Sequence, residues 1–201
     1  MNDSSSATSS ATSSASSSAT FSGVAQRADE LFDVVDDQDR VVRQETRAEV
    51  HRQRLLHRAI HVLVFDRAGR ILLQKRSMAK DSEPGRWASS CSGHVDAGED
   101  YDTAAVRELA EEIGVRVAEA PPRWLRAGPC RETGREFVWV YRLEHEGPFA
   151  LHPAEIDDGR WITPGELASE VAENPKAFAR SFLYLWGLLR EREKSGAATA
   201  P

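Results

Sequence analysis

Residues 93–115 read Gly-His-Val-Asp-Ala-Gly-Glu-Asp-Tyr-Asp-Thr-Ala-Ala-Val-Arg-Glu-Leu-Ala-Glu-Glu-Ile-Gly-Val. The spacing predicts a helix from Asp102 to Ile113 with Gly114 as its stop. At about 100° per residue, Glu108, Glu111 and Glu112 fall on one face while Val106, Leu109 and Ile113 fall on another. An acidic face turned to water is the commonest reason for such a triplet. Like charges one turn apart nevertheless repel, by on the order of a few tenths of a kcal/mol per pair, so the cluster calls for a cation. A hard divalent ion such as magnesium takes carboxylate oxygens together with substrate phosphates.

Working outward, strands are expected on both sides. Ile60 to Phe65 and Ile71 to Gln74 are apolar runs separated by Asp66-Arg67-Ala68-Gly69 and read as paired strands. Phe137 to Leu143 is aromatic and β-branched and reads as another. Upstream, Phe32 to Val35 and Val41 to Val42 flank Asp36-Asp37-Gln38-Asp39, a short hairpin. Thr46 with Glu49 has capping-box spacing and should open a short helix through about Arg54. Downstream, Thr163-Pro164 with Glu166 predicts one helix start and Asn174-Pro175 a second. The second precedes Phe178, Phe182, Leu185, Leu188 and Leu189, which form one apolar face. The order of elements predicts an α+β architecture, an α/β/α sandwich with a mixed sheet.

The chain has 201 residues, enough for one domain with a sufficient core. We expect a Ser/Ala/Thr-rich disordered tail over 1–29, a folded domain over 30–192 and a second disordered tail over 193–201. A net charge of -6 argues against a nucleic acid polymer as partner. No apolar run reaches the roughly 18 residues that a membrane span needs, and no signal core is seen. Two cysteines, Cys91 and Cys130, are too few for a disulfide framework, and neither belongs to a Cys-x-x-Cys pair. These features together fit a cytoplasmic protein.

The stretch from Gly93 resembles the Nudix box, Gly-x5-Glu-x7-Arg-Glu-U-x-Glu-Glu-x-Gly-U, where U is a bulky aliphatic residue. The matches are Gly93, Glu99, Arg107, Glu108, Leu109, Glu111, Glu112, Gly114 and Val115. Seven fixed identities arise by chance on the order of once per 10⁸ windows at average residue usage, so coincidence is set aside. The resemblance implies a Nudix fold whose box helix packs on the mixed sheet. It also implies a hydrolase that cleaves a diphosphate linkage in a small molecule, with a nucleoside diphosphate derivative as the first candidate. The implied cofactor is magnesium, with manganese as the alternative. Glu108, Glu111 and Glu112 would be its side-chain ligands and the Gly93 carbonyl an addition. Glu99 and Arg107 would be structural.

Within the family the catalytic base varies, so Glu111, Glu112, Glu136 and Glu155 are the catalytic candidates. Lys75 and Arg76 are candidates to face the substrate phosphates. Many relatives form homodimers.

Beyond the box, His57, Leu72 to Ser77, Pro84-Gly85-x-Trp87, Gly93-His94, Arg160-Trp161 and Pro175-x-Ala177-Phe178 resemble the branch related to type I isopentenyl diphosphate isomerase. That enzyme carries a cysteine immediately before the Gly-His that opens its box. Here Ser92 occupies that position and Cys91 falls one residue early, which in an extended strand points to the opposite face. Its metal histidines are only partly matched here, by His57 and His94, and its paired downstream carboxylates reduce to Glu136 alone. The alternatives to the hydrolase are therefore an isomerase-like enzyme and a non-catalytic ligand-binding Nudix protein. His61, beside an apolar strand, is read as structural.

Overall fold

The computed structural model describes residues 27–196, so of the tails expected over 1–29 and 193–201, residues 1–26 and 197–201 lie outside the described residues. Arg27 and Asp29 are ion-paired to each other, and the final helix runs through Glu193 to Lys194.

The hairpin forms as expected, with β1 (Leu31–Val35) antiparallel to β2 (Val41–Thr46). Thr46 Oγ1 accepts the Glu49 amide at the start of α1 (Arg47–Gln53), so that half of the capping box is made. The Glu49 carboxylate turns instead to Arg52 and Gln53.

The main sheet has seven strands, with β5–β4–β3–β8–β7 as its path. Here β3 is His57–Phe65, β4 Ile71–Arg76, β5 Trp87–Ala88, β7 Arg123–Ala127 and β8 Glu136–Glu144. The strands β6 (Cys91–His94) and β9 (Ile156–Ile162) attach to β3 and β4 respectively. β3 and β8 are parallel and the other pairs antiparallel, so the sheet is mixed.

Helices cover both faces. The box helix α2 (Tyr101–Ile113) buries Ala104, Ala105, Leu109 and Ile113 against Ile60, Val62 and Val64 of β3. The opposite face of β3, with Ala59, Leu63 and Phe65, receives Leu167 of α3 (Pro164–Glu173) and Phe182, Leu185 and Leu189 of α4 (Arg180–Lys194). Period-two alternation along β3 thus supplies two cores, and truncating a buried leucine in either costs about 2–5 kcal/mol. No described helix is long and apolar enough to cross a membrane.

The strands β3 and β4 pair antiparallel as expected, but only at Phe65↔Ile71 before parting, because each finds other partners. One expectation is corrected. The last helix begins at Arg180 and not at Asn174, whose side chain makes no capping bond. Pro175–Ala177 instead forms a single 3-10 turn, and Phe178 is extended, bridging Trp87 and fully buried.

Candidate active site

The parting of β3 and β4 opens a cavity of about 1140 Å³. β6 borders it, pairing with β3 from Ala59↔His94 to Val62↔Cys91. Alternation along β6 turns Cys91 and Gly93 towards α2 and turns Ser92 and His94 to the other face. The cavity therefore draws on both faces at once.

On the α2 side, the Glu108 carboxylate fills the space that a side chain at Gly93 would need, since a Cβ there would come within 1.9 Å of Glu108 Oε1 and displace it. Burial pushes the Glu108 carboxyl up to about 8; Arg107 opposes that shift and the Glu112 charge adds to it. Glu112 is 3% exposed and accepts from the Ser92 amide at 2.9 Å and from Gln74 Nε2 at 3.2 Å. The other Gln74 amide atom, Oε1, is buried without a partner. Arg107 ties the box together, donating to Glu99 at 2.8 Å, to the His94 carbonyl at 2.9 Å and to Glu108 at 2.7 Å.

Glu108, Glu111 and Glu112 all line this cavity, at different depths. Glu111 has a side chain 60% exposed, at the rim, and reaches Arg107 at 3.3 Å. Glu108 sits between the other two on the helical wheel, so the turn that buries Glu112 leaves Glu111 at the exposed edge of the cavity.

On the far face of β6, Glu136 starts β8 in register with His57. Its Oε1 lies 3.5 Å from His57 Nε2 and 3.3 Å from His94 Nε2. Burial disfavours the Glu136 charge, yet the His57 and His94 imidazoles beside it hold its carboxyl far below the usual range. His57 Nδ1 is engaged with the Leu55 carbonyl at 2.9 Å, which aims Nε2 into the site, where it is buried without a well-aligned hydrogen bond. His51 arrives from α1, and His51, His57 and His94 each offer a ligand atom within 4.8 Å of the others. Burial, then the neighbouring His94 and His57, push the His51 imidazole down to about 4.

The two clusters differ in chemistry. Buried carboxylates beside an unpartnered amide oxygen suit a hard divalent cation, and three imidazoles with one carboxylate suit a transition metal.

A basic wall faces both. Arg76 and Lys80 line the cavity, and burial lowers the pKa of each. Lys80 Nζ pairs with Glu155 and lies 3.7 Å from Glu112 Oε1, which places Glu155 beside the box carboxylates. Arg47, 8% exposed, pairs with Asp81 and keeps a buried Nε without a partner. Lys75 is corrected: it does not line the cavity, and its ammonium stands 6.0 Å over the Trp87 ring. Alternation along β4 sends it to the opposite face from Gln74 and Arg76. His61 does line the cavity, anchored by Nδ1 to Ser89 Oγ at 2.7 Å. Cys91 is fully buried, with burial raising its thiol pKa well above the usual value, while Ser92 lines the cavity.

Sequence reasoning does not single out Arg47, His51 or Lys80. His51 lies on a different element from His57, and no periodicity links Lys80 or Arg47 to the box.

A NUDIX domain profile matches residues 55–183. A Yersinia pestis protein described as an uncharacterised Nudix hydrolase is 36% identical over 175 residues, 86% of this chain and 93% of the relative. A Nocardia farcinica protein described as isopentenyl-diphosphate Delta-isomerase is 40% identical over 152 residues, 73% of this chain and 86% of the relative. Among solved structures, a crystal structure from Deinococcus radiodurans superposes with a TM-score of 0.69 at 27% identity, covering 81% of this chain and 98% of that one.

Proposed function

This chain belongs to the Nudix family, and from that premise we propose a magnesium-dependent hydrolase of a diphosphate linkage in a small molecule. The observation that carries the reading is the intact box, with buried Glu112 and partly buried Glu108 one helical turn apart, beside Lys80 and Arg107. These two glutamates would hold the cation, with Glu111 at the rim and Gln74 Oε1 as a further oxygen. Manganese is the alternative ion. When bound, such an ion offsets charge developing on the phosphoryl group and acidifies a water.

The remaining work falls to the chain's own groups. Arg76, Lys80 and Arg47 present cationic donors to the phosphoryl oxygens. Glu155, which shares Lys80 with Glu112, would accept a proton from the attacking water. Glu136, held ionised by two histidines, is a weak base and a better ligand or electrostatic anchor. The acidic net charge favours a small molecule over a nucleic acid polymer, with a nucleoside diphosphate derivative as first candidate. Two unpaired cysteines suit a cytoplasmic setting, and a homodimer is the assembly to look for.

A second reading is favoured by one observation: His51 gathers with His57 and His94, the latter two flanking Glu136, which adds a third imidazole to the two that match the metal histidines of an isopentenyl diphosphate isomerase. Against it, the serine at position 92 has no thiol, and Cys91 points into the core beneath α2.

Phosphate release from a panel of diphosphates with magnesium, comparing wild type with Glu112→Gln, tests the proposal. Turnover that disappears in the variant supports the hydrolase. Conversion of isopentenyl to dimethylallyl diphosphate, with no hydrolysis of any compound, would replace it with the isomerase.

A further inference from the structure

Residues 27–54 precede the matched segment 55–183, yet they clamp the loop that opens the box. The Leu31 carbonyl accepts the Ala97 amide at 2.8 Å, and Phe32 forms a β-bridge with Asp96. The Phe32 ring is buried and stacks on His94 with centroids 4.6 Å apart. Asp33 is 5% exposed, an unusual burial for a carboxylate. Its Oδ2 accepts the Gly98 amide at 2.9 Å and its Oδ1 accepts Gln44 Nε2 at 3.2 Å.

Gly98 has φ +78, so its amide is aimed by a backbone conformation that few other residues adopt. The next residue is Glu99, whose carboxylate accepts the Asp96 amide at 3.1 Å and Arg107 at 2.8 Å. Arg107 in turn bonds Glu108.

We infer that Asp33 is a positioning residue for the box: by holding the Gly98 amide it fixes the turn that presents Glu99 to Arg107, and so sets the Glu108 carboxylate for a cation. The inference rests on the reading of Glu108 and Glu112 as cation ligands. It makes the hairpin part of the active site although the hairpin donates no ligand from Asp33 itself. A partner at this remove from a metal orients the groups that touch it.

The test uses the full chain and two readouts. Backbone amide hydrogen exchange at residues 96–99 is measured on metal-free protein, and Mn2+ uptake is followed by the electron paramagnetic resonance of the free ion. In Asp33→Ala the amides exchange faster and the apparent Mn2+ Kd rises about tenfold, the scale seen when such orienting partners are removed. Asp33→Asn keeps an acceptor for Gly98, with Gln44 able to flip its amide, and restores both values to within about twofold of wild type. Gln44→Ala removes the other partner of Asp33 and leaves the Mn2+ Kd unchanged. Should Asp33→Ala fail to fold, Asp33→Glu displaces the carboxylate by one methylene and is expected to weaken Mn2+ in the same direction.

An Asp33→Ala or Asp33→Glu protein that is less heat-stable but binds Mn2+ as tightly as wild type would overturn the inference and leave the hairpin a packing element. Wild-type protein that takes up no Mn2+ removes the cation reading beneath it. The exchange data on metal-free protein tell that outcome apart from a failure of Asp33 alone.

Discussion

The two sides of β6 hold two clusters built in different ways. On one side Glu108 and Glu112 come from a single turn of α2, with Gly93 cut away to make room for a carboxylate. On the other, His51, His57, His94 and Glu136 come from α1, β3, β6 and β8. The first is a local device, fixed by helical pitch and by Arg107. The second exists only because β8 runs parallel to β3 with Glu136 in register with His57. A chemical function written into one segment survives rearrangement of the surroundings, whereas one written across four elements depends on every register between them.

The hydrolase reading ranks the carboxylate side above the histidine side. Glu112→Gln is expected to lower kcat/KM for the diphosphate substrate by about 10²–10³, the loss typical of removing a preorganised electrostatic contact. Steady-state kinetics at saturating magnesium would show it. His57→Asn should cost only about tenfold, as an orienting partner does. A loss as large as that of Glu112→Gln would erase the ranking and bring the isomerase reading forward. The neighbours on β4 sharpen the basic wall: Arg76→Ala should raise KM by about tenfold, the worth of a charged hydrogen bond, while Lys75→Ala should leave KM within about twofold. Equal effects would mean that Lys75 reaches the substrate.

His61 tests the histidine side through stability. An unfolded chain protonates this imidazole near 6.5, whereas burial pushes the folded value down to about 4. Between those values protons bind the unfolded chain preferentially, so stability is full above pH 6.5 and falls as the pH drops towards 4. The loss amounts to about 3 kcal/mol for that shift and should be seen in chemical denaturation at stepped pH. His61→Gln should flatten this part of the profile. A variant as acid-sensitive as wild type would assign the loss to other groups.

Several elements are legible from neighbouring residues alone. Gly114, with φ +71, ends α2 where the sequence calls for a left-handed residue. Thr163 and Glu166 make the reciprocal capping box that opens α3. These are short-range signals, in which the residues that interact are close in the chain. The short strands β5 and β6 escape a sequence reading for the opposite reason: two and four residues are too few to show a period, and their strand geometry is imposed by β4 and β3. The start of α4 is misread because Asn174-Pro175 carries a valid start signal that is spent on a 3-10 turn, while Phe178 is held extended by its bridge to Trp87.

What the sequence determined by itself was the box, its helix and the family, since each is carried by one continuous segment of the chain. Only the tertiary structure decided which glutamates turn inward, that Arg76 and not Lys75 lines the cavity, and that His51 joins His57 and His94. Those outcomes follow from strand register and from the angle at which α2 and the hairpin pack against the sheet. Both are set by burial summed over residues far apart in the chain, and no single segment encodes them.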